Sequence, residues 1–595
     1  MEVTTETMDP SGKGWFGLAP LTTVKLRIAL TQALLLHALA ASQSYGTWPS
    51  TQPAVFAGAL LVMLFVPLLV IQAAGQLPWR RLGIWAATAG VLAAVVGAHS
   101  VLRRALPQLT PADSFERLIP DPPAVVFLAA GLFIAQALII AAATDHRRIA
   151  TYATYFEVAW KQGVQAVAGV GFTVVFWIVL ALGGELFKLI TLDFLSRLIQ
   201  HAWFAFPATT LAFAAALHVT DVRPQIIRSI KTLILTLLSW LLPLATVIAA
   251  GFLASLPFTG LSALWATKAA TPILLGCSAG LVILLNAGYQ DGAPERAVPR
   301  VMRYIGSLAA LLLFPLVAIA AYGVALRVGQ YGWTNDRIIA AACVLVAACY
   351  ALGYLWAALR RDNWLQGLET SNIATSFVAL GAIAALFTPL ADPARIATAS
   401  QLARLESGKV APEKFDFMSL RFDNERYGSE AVRVLAAQAE GPVKTAAARA
   451  LAAKFKHTPV EGLDAAALTA SLKVSPPGAT LPDSFLKQDW TNVAEARALS
   501  QCMHDGPCTA VLLDVNGDGV QEVAVMGKGS GPATIFGEAD GSWRDVGEVL
   551  GFPGCEEARE GIEEGHFEMA VPAWREVLVG GRRLPVIPKA EPCTP

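Results

Sequence analysis

The chain has 595 residues, and its composition excludes most classes of soluble protein. Hydrophobic residues make up 55% of the sequence and charged residues only 15%, whereas a typical soluble domain has about 25% charged residues. The mean hydropathy is +0.52, and the formal net charge is +0. A chain without net positive charge lacks the overall electrostatic attraction that favours binding of nucleic acid. Its main partner is therefore predicted to be the lipid bilayer.

Eleven apolar runs follow one another between residues 26 and 391. Each has close to the roughly 20 residues that an α-helix needs to cross the hydrocarbon of a bilayer. Because peptide groups find no water at that depth, each run is predicted to be a helix with internal backbone hydrogen bonds. The predicted fold class is a polytopic, all-α membrane bundle. The predicted spans are 26–43, 53–74, 83–101, 123–143, 163–183, 203–219, 232–256, 269–288, 304–325, 338–358 and 373–391.

Basic residues recur in every second gap between the spans, and this bias predicts the orientation of the chain. Since basic loops stay in the cytoplasm, the N-terminus is predicted to be cytoplasmic, and eleven crossings place the C-terminus in the periplasm of an inner-membrane protein. Cleavage of the first span at Ala38-Leu-Ala40 is an open alternative that leaves the later topology unchanged. The basic residues of the richer side are Lys25, Arg27, Arg80, Arg81, Arg147, Arg148, Lys161, Arg223, Arg228, Lys231, Arg296, Arg300, Arg303, Arg360 and Arg361.

Few polar side chains lie deep in the predicted spans, where a charge is costly and often marks a pathway. His37 and His218 are candidates for proton relay, or alternatively neutral histidines bonded to a neighbouring helix. Glu157 and Lys161 stand four residues apart before the fifth span. This spacing predicts an ion pair within an amphipathic helix on the cytoplasmic surface. The alternative role for the pair is a gate or a contact with lipid headgroups.

The rest of the chain is polar, and three further parts are predicted outside the transmembrane domain. We expect a cytoplasmic tail at 1–24, a transmembrane domain at 25–391, a soluble helical connector at 392–472 and a small α+β or β-rich module at 473–595. Alanine-rich helical patterns support the connector. Alternating short apolar runs between turn residues support the module. The predicted strands are Thr509–Leu513, Glu522–Met526, Thr534–Phe536 and Glu576–Val579.

Four of the seven cysteines lie in the polar tail: Cys502, Cys508, Cys555 and Cys593. An exported tail would oxidise an even number of cysteines. A tight turn at Asp505-Gly-Pro507 allows Cys502 to pair with Cys508, which leaves Cys555 for Cys593. Free thiols or a zinc site are the alternatives, although the spacing lacks the paired CxxC pattern of zinc sites.

Between two predicted strands stands an acidic turn with oxygen-bearing side chains at Asp514, Asn516, Asp518 and Glu522. Such oxygens, with glycine at the sixth position, suit a calcium ion. Val525 occupies the position where an EF-hand has glutamate, so this is no EF-hand. The simpler interpretation is a turn in which Asx side chains cap backbone amides. Calcium is the only cofactor that the sequence suggests.

Several short peptides mix aromatic, glycine and amide residues in a recognisable order. They are Tyr155–Gly163, Leu256–Thr267, Asn286–Asp291, Gln330–Thr334 and Phe415–Gly428. In these peptides the chain resembles the bacterial multi-pass inner-membrane proteins that carry the domain of unknown function 4153 (DUF4153), over residues 25–450. The resemblance implies an integral inner-membrane protein and brings no substrate or catalytic residue with it.

The sequence contains no phosphate-binding loop, zinc-protease motif or nucleophile elbow, so enzyme activity is left open. We expect an envelope scaffold whose extracytoplasmic module binds an envelope protein partner. The alternative is a transporter or a lipid-handling membrane protein. A polar cavity between the spans would favour transport, whereas a closed bundle with an exposed patch on the tail would favour a scaffold.

Overall fold

The computed structural model forms two compact units. One runs to Phe415 and includes Leu420–Val434, and the other takes Asp416–Ser419 and the chain from Leu435 onward. The structure describes residues 20–104, 118–222, 224–261, 264, 267, 269–292, 299–360, 364–437, 441–453, 464–476, 478–488, 490, 496–504, 506–527, 532–539, 541–549, 560–562, 564, 566, 568–570, 577–579 and 582–584.

The first unit is built from α-helices. In chain order they are α1 Pro20–Ser44, α2 Pro53–Ala73, α3 Trp79–Leu102, α4 Pro122–Thr144, α5 Tyr152–Lys188, α6 Phe194–Gln200, α7 Ala202–Val222, α8 Pro224–Thr259, α9 Ala270–Tyr289, α10 Arg300–Tyr331, α11 Asn335–Leu359, α12 Gly367–Leu386 and α13 Pro393–Glu406. A 3₁₀ turn at Pro412–Lys414 follows, and then α14 Phe417–Asp423 and α15 Glu425–Ala436.

Among the described residues, eleven helices are long and apolar enough to cross a membrane. Each of the eleven predicted spans coincides with one of them, so the predicted membrane bundle is confirmed. The sequence predicted an amphipathic segment at the cytoplasmic surface before the fifth span, and in the structure this segment is continuous with the span. Residues 152–188 form one helix of 37 residues, about 55 Å long. No proline interrupts this stretch, and the Thr151 hydroxyl caps its start by accepting a hydrogen bond from the Thr154 amide.

Helices α8 to α12 share one buried core. Its largest fully buried side chains include Leu242, Leu285, Leu313, Tyr354 and Leu368, each at most 1% exposed. Lipid tails are as apolar as leucine, so burial of apolar surface does not by itself hold such helices together. Close contact and the dispersion energy of many atom pairs do so instead.

Small residues let α2 and α3 approach until their backbones touch. A Cβ atom at Gly97 would lie 2.5 Å from the Ala57 carbonyl oxygen and 2.9 Å from the Gly58 Cα. One at Gly58 would lie 3.0 Å from the Ala94 carbonyl oxygen. This is the usual way in which membrane helices gain contact area without a hydrophobic driving force.

The second unit is a small α+β module. Its helices are α16 Pro442–Ala452, α17 Ala465–Ser471, α18 Asp483–Lys487 and α19 Ala496–His504. Its strands are β1 Leu472–Ser475, β2 Cys508–Leu513, β3 Glu522–Met526, β4 Ala533–Ala539, β5 Ser542–Val549, β6 Val577–Val579 and β7 Arg582–Leu584. The first five form a sheet in the order β1-β2-β3-β4-β5, and β6 pairs with β7. Strand β1 runs parallel to β2, and the other neighbours are antiparallel.

Aromatic rings fill the core of this module. The Phe485 ring lies 4.9 Å from the Trp490 ring and 5.2 Å from the Trp543 ring, centroid to centroid. The Trp490 indole donates a hydrogen bond to the Phe485 carbonyl at 2.9 Å. The four predicted strands correspond to β2, β3, β4 and β6. Strands β1, β5 and β7 were not predicted, because β1 has only four residues, β5 is mostly polar and β7 has only three residues.

We predict that Gly97→Val destabilises the membrane unit by about 1–3 kcal/mol, the usual cost of overpacking. The added carbon atoms would collide with α2 backbone atoms that cannot rotate away. Thermal unfolding of the detergent-purified protein measures the loss. Gly83→Val on the same helix is the control, because a Cβ there meets no atom within 4 Å. Equal destabilisation by both substitutions would contradict the packing argument.

Candidate functional site

Four polar side chains from four spans form a closed hydrogen-bonded group, which we call the amide cluster: Tyr152, Asn286, Tyr354 and Asn372. The Asn286 Oδ1 accepts from the Tyr152 hydroxyl at 3.0 Å and from the Asn372 Nδ2 at 2.6 Å. The Tyr354 hydroxyl accepts from the Asn286 Nδ2 at 2.7 Å and donates to the Asn372 Oδ1 at 2.7 Å. Satisfying these groups within the bundle removes the cost of exposing them to hydrocarbon.

The amide cluster continues toward the end of the bundle where α9 ends and α12 begins. There the Tyr289 hydroxyl donates to Glu369 Oε1 at 2.7 Å. The Tyr289 ring lies 6.0 Å from the Tyr152 ring and 5.8 Å from the Trp364 ring. Gly292 has a φ of +71°, and a Cβ on it would lie 2.7 Å from Glu369 Oε1. Asn286 and Tyr289 both belong to a peptide that carries the family resemblance.

Beside the amide cluster lies an apolar cavity of about 420 Å³, enclosed by α4, α9, α10, α11 and α12. Its wall includes Phe127, Leu313 and Ile383. Ala279, Ile283 and Cys343 line it as well and are exposed at the bundle surface. Two residues of this lining carry a hydroxyl, Tyr350 and Ser278. The Ser278 hydroxyl donates to the Leu274 carbonyl of its own helix at 2.8 Å. The cavity therefore offers carbon surface and opens sideways.

Two contacts join the cavity to the amide cluster. Tyr350 lines the cavity, and its ring meets the Tyr354 ring edge-on at 5.7 Å. Val282 also lines the cavity, and its carbonyl accepts from the Asn286 Nδ2 at 2.8 Å. A molecule in the cavity would thus lie against the residues that position the polar group.

The other end of the cavity is closed by aromatic packing and by α13. Leu386 lines the cavity, and the next residue, Phe387, stacks on Phe127 with 5.1 Å between ring centroids. Ala397 and Ile396 of α13 pack in the same hydrophobic cluster as Leu386 and Phe387. We call α13 the strap helix and this end of the bundle the strap end.

A buried ion pair fixes the start of the strap helix. The Asp392 carboxylate is 0% exposed and lies 3.0 Å from His99 Nε2 and 3.9 Å from Arg103 Nε. Its other oxygen caps the helix by accepting from the Ala394 amide at 2.8 Å. Burial alone raises the pKa of Asp392. The contact with His99 and the charge of Arg103 outweigh burial, so the pKa lies below its ordinary value of 3.8.

Further along, the strap helix binds the turn between α10 and α11. Gln401 donates to the carbonyls of Tyr331 and Trp333 at 3.0 and 2.9 Å. Arg404 donates to the Gln330 carbonyl at 2.7 Å, and the Ser400 hydroxyl accepts from the Trp333 amide at 3.2 Å. The peptide Gln330–Thr334, which carries part of the family resemblance, is thus the segment that binds the strap helix. Its residue types did not indicate this role.

The predicted ion pair between Glu157 and Lys161 is not formed. Glu157 pairs with Lys231 of α8, and Lys161 donates to the Gln76 Oε1 at 3.2 Å. The i,i+4 interpretation assumed a helix lying on the surface. Because α5 packs against other parts of the bundle here, these two side chains bind partners on α8 and in the turn between α2 and α3.

The two predicted histidines have different surroundings. His218 is half-buried, and its Nδ1 lies 3.4 Å from the Thr22 hydroxyl of α1, within hydrogen-bond distance. His37 is also half-buried, and its Nδ1 has no hydrogen-bond partner among the described residues. Proton relay by either histidine stays a prediction.

Sequence reasoning treated Lys25 only as a topology signal and did not consider Asp221. The two form an ion pair between α1 and α7, and the Lys25 side chain is 3% exposed. Gln165 of α5 donates to the other Asp221 oxygen at 2.8 Å. The pair therefore ties three helices together at a point where a buried charge needs a partner.

Glutamines link the second to fifth spans, and sequence reasoning passed over them because they are uncharged. The Trp85 indole donates to Gln136 Oε1 at 3.1 Å, and Gln136 Nε2 donates to Gln72 Oε1 at 2.9 Å. The Gln72 Nε2 in turn donates to the Gln162 carbonyl at 3.0 Å. Glutamines at the same depth in neighbouring spans would have been the signal to look for.

In the second unit Cys502 and Cys508 form a disulfide with 5.2 Å between their Cα atoms. This is one of the two predicted pairs. Cys555 and Cys593 lie outside the described residues. Cys277, Cys343 and Cys349 of the membrane unit are free thiols.

The acidic turn is held by its own side chains. Asp514 accepts from the Gly517 and Gly519 amides at 2.7 and 3.0 Å, and Asp518 accepts from the Val520 amide at 2.7 Å. Glu522 accepts from the Val515 amide and from Asn516 Nδ2, at 2.8 and 2.9 Å. Within the described part of the chain, no group of three or more His, Cys, Asp or Glu residues is arranged to hold a metal. Calcium binding at this turn stays a prediction.

A family model described as a domain of unknown function (DUF4153) matches residues 30–427. The chain belongs to this family. The matched region covers the first span from residue 30, the other ten spans completely, the strap helix and the segment that follows it, and so includes the amide cluster and the cavity. No curated protein and no solved structure matches the chain.

We predict that Asp392→Asn destabilises the strap end by about 3 kcal/mol, the cost of breaking a buried ion pair from one side. Asparagine keeps the helix cap but loses the charge. Because folding lowers the pKa of Asp392, the stabilisation is complete above pH 3.8 and is lost as the pH falls further. Asp193→Asn, at the exposed start of α6, is the control.

A double-mutant cycle with His99→Gln identifies the partner. The two substitutions should be strongly non-additive in thermal unfolding, since each removes the same contact. Additivity within about 0.5 kcal/mol would show that Asp392 and His99 act independently.

Proposed function

We propose that this DUF4153 protein handles membrane lipid by holding a hydrocarbon chain in the cavity between α4, α9, α10, α11 and α12. The observation that carries the proposal is a cavity of about 420 Å³ with an apolar lining, built from membrane-spanning helices. An acyl or isoprenoid chain is the molecule of matching chemistry that surrounds the protein at this depth.

The lining argues against a water-soluble solute. Moving a polar group into a site without hydrogen-bond partners costs several kcal/mol, roughly 2–7. The Ser278 hydroxyl is already engaged with its own helix. A hydrocarbon chain meets no such penalty. The lipid-handling alternative is thus favoured over transport of a polar solute, for which a polar cavity would be needed.

The exposed rim supports entry from the bilayer. Three residues belong both to the cavity lining and to the bundle surface: Ala279, Ile283 and Cys343. A chain could therefore enter sideways without crossing a polar barrier. The amide cluster touches the cavity through Tyr350 and Val282 and so borders one end of the space that the chain would occupy.

We also propose the placement of the protein in the inner membrane, with a cytoplasmic N-terminus and a periplasmic C-terminal module. The bias of basic residues between eleven spans supports this orientation. The Cys502–Cys508 disulfide supports an oxidising compartment for the module. Residues 392–472 and 473–595 are the proposed connector and module, and a scaffold role for the module with an envelope protein partner stays a proposal from the sequence.

We predict that Ala382→Phe abolishes co-purification of the bound lipid, because the ring fills the cavity. Ala382 lines the cavity from α12. Mass spectrometry of lipids released from the protein after gentle detergent extraction measures the occupancy. Ala384→Phe is the matched control, since Ala384 is exposed on the same helix and lies outside the lining.

The native Cys343 thiol gives a second readout. In a background with Cys277, Cys349, Cys555 and Cys593 replaced by Ala, a membrane-permeant maleimide should label Cys343 slowly when lipid is present and faster after delipidation. Labelling at the same rate in both states, or lipid retained by Ala382→Phe, would contradict the proposal.

We predict that a reporter enzyme active only in the periplasm works when fused after residue 400 and fails when fused after residue 148. The first junction follows eleven spans and the second lies in a basic gap. Activity from the second fusion alone would show that the orientation is the opposite of the proposed one.

A further inference from the structure

A second groove lies between α11 and α12, near the end of the bundle opposite to the strap end. It measures about 350 Å³ and is lined by Cys349 and Trp356 of α11 and by Thr370, Ser371, Ala374, Thr375 and Val378 of α12. The two helices cross closely at Gly353, where a Cβ atom would collide with the Ser371 side chain. The groove therefore runs along a rigid helix crossing.

One end of the groove carries a positive charge. The Arg360 guanidinium stacks over the Trp356 ring at 4.0 Å from the ring centroid. Trp356 is 48% exposed although it lines the groove. Gly367 leaves room for this ring, since a Cβ there would lie 2.9 Å from two of its carbon atoms. The ring thus holds the guanidinium beside the groove mouth.

The surroundings favour an anion at this position. Arg360 and the Thr370 hydroxyl are both exposed at the mouth. The neighbouring carboxylate, Glu369, already accepts from the Tyr289 hydroxyl at 2.7 Å. Arginine binds phosphate oxygens through charge-assisted, bidentate hydrogen bonds. Tryptophan and arginine at a helix end also suit the headgroup depth of a bilayer.

We propose that this groove binds an anionic phospholipid, with the phosphate on Arg360 and one acyl chain along Ala374 and Val378. Charge complementarity selects the anionic headgroup, and the apolar floor between two spans selects the chain. The site is separate from the cavity of the proposed function and does not depend on it.

Native mass spectrometry of the full-length protein tests the site with two probes, phosphatidylglycerol and phosphatidylethanolamine. Arg360→Gln should weaken phosphatidylglycerol binding about tenfold, the effect of losing one charge-assisted hydrogen bond. It should weaken phosphatidylethanolamine binding less, because the ammonium group of that lipid offsets the phosphate charge. Arg327→Gln is the matched control. Arg327 also stacks on an aromatic ring, that of Tyr331, so this variant removes the same charge from a similar pair. The pair lies at the C-terminal end of α10 and outside the groove.

Further variants separate the outcomes. Arg360→Lys should restore most of the preference for phosphatidylglycerol, which shows that a loss in Arg360→Gln is not misfolding. Ala382→Phe should leave the preference intact, so that failure of the cavity proposal and failure of this one are distinguishable. Unchanged phosphatidylglycerol affinity in Arg360→Gln, an equal loss in Arg327→Gln, or full competition by inorganic phosphate would overturn the proposal.

Discussion

The absence of water from the hydrocarbon core is the constraint on which the rest of the membrane unit depends. Every polar group that enters it must find a partner inside the protein. The amide cluster meets this requirement by closing Tyr152, Asn286, Tyr354 and Asn372 on one another. Because burial of apolar surface does not drive helices together in lipid, such clusters also decide which helices are neighbours.

The same constraint bears on what the apolar cavity can hold. In a soluble protein an unfilled apolar space costs free energy, because its walls lose contacts. In a bilayer, a space that opens sideways is within reach of hydrocarbon chains. The amide cluster fixes one end of this cavity, and the Phe127–Phe387 stack under the strap helix closes the other. The proposed lipid handling rests on that arrangement, in which a polar cluster borders one end of an apolar cavity and an aromatic stack closes the other.

The sequence predicted the elements well and the partners poorly. Runs of some twenty apolar residues determine spanning helices whatever surrounds them, and short alternating runs identified four strands of the module. Glu157 and Lys161 show the limit. Their spacing allows an ion pair along one helix, but Glu157 pairs with Lys231 of α8 and Lys161 donates to Gln76 in the turn between α2 and α3. Lys25 and Asp221 form an ion pair that the sequence did not predict. They are almost two hundred residues apart along the chain, and no local pattern indicates the contact.

The sequence by itself determined the class of protein, the number of spans and the strands of the module's acidic turn, because these depend on local composition and on hydrogen bonds between near neighbours. Only the tertiary structure decided where the spans meet, which polar groups close into clusters, and that α13 straps the end of a cavity. Those features depend on contacts between residues far apart in the chain, and hydropathy is the same for an apolar side chain that faces a helix, a cavity or a lipid.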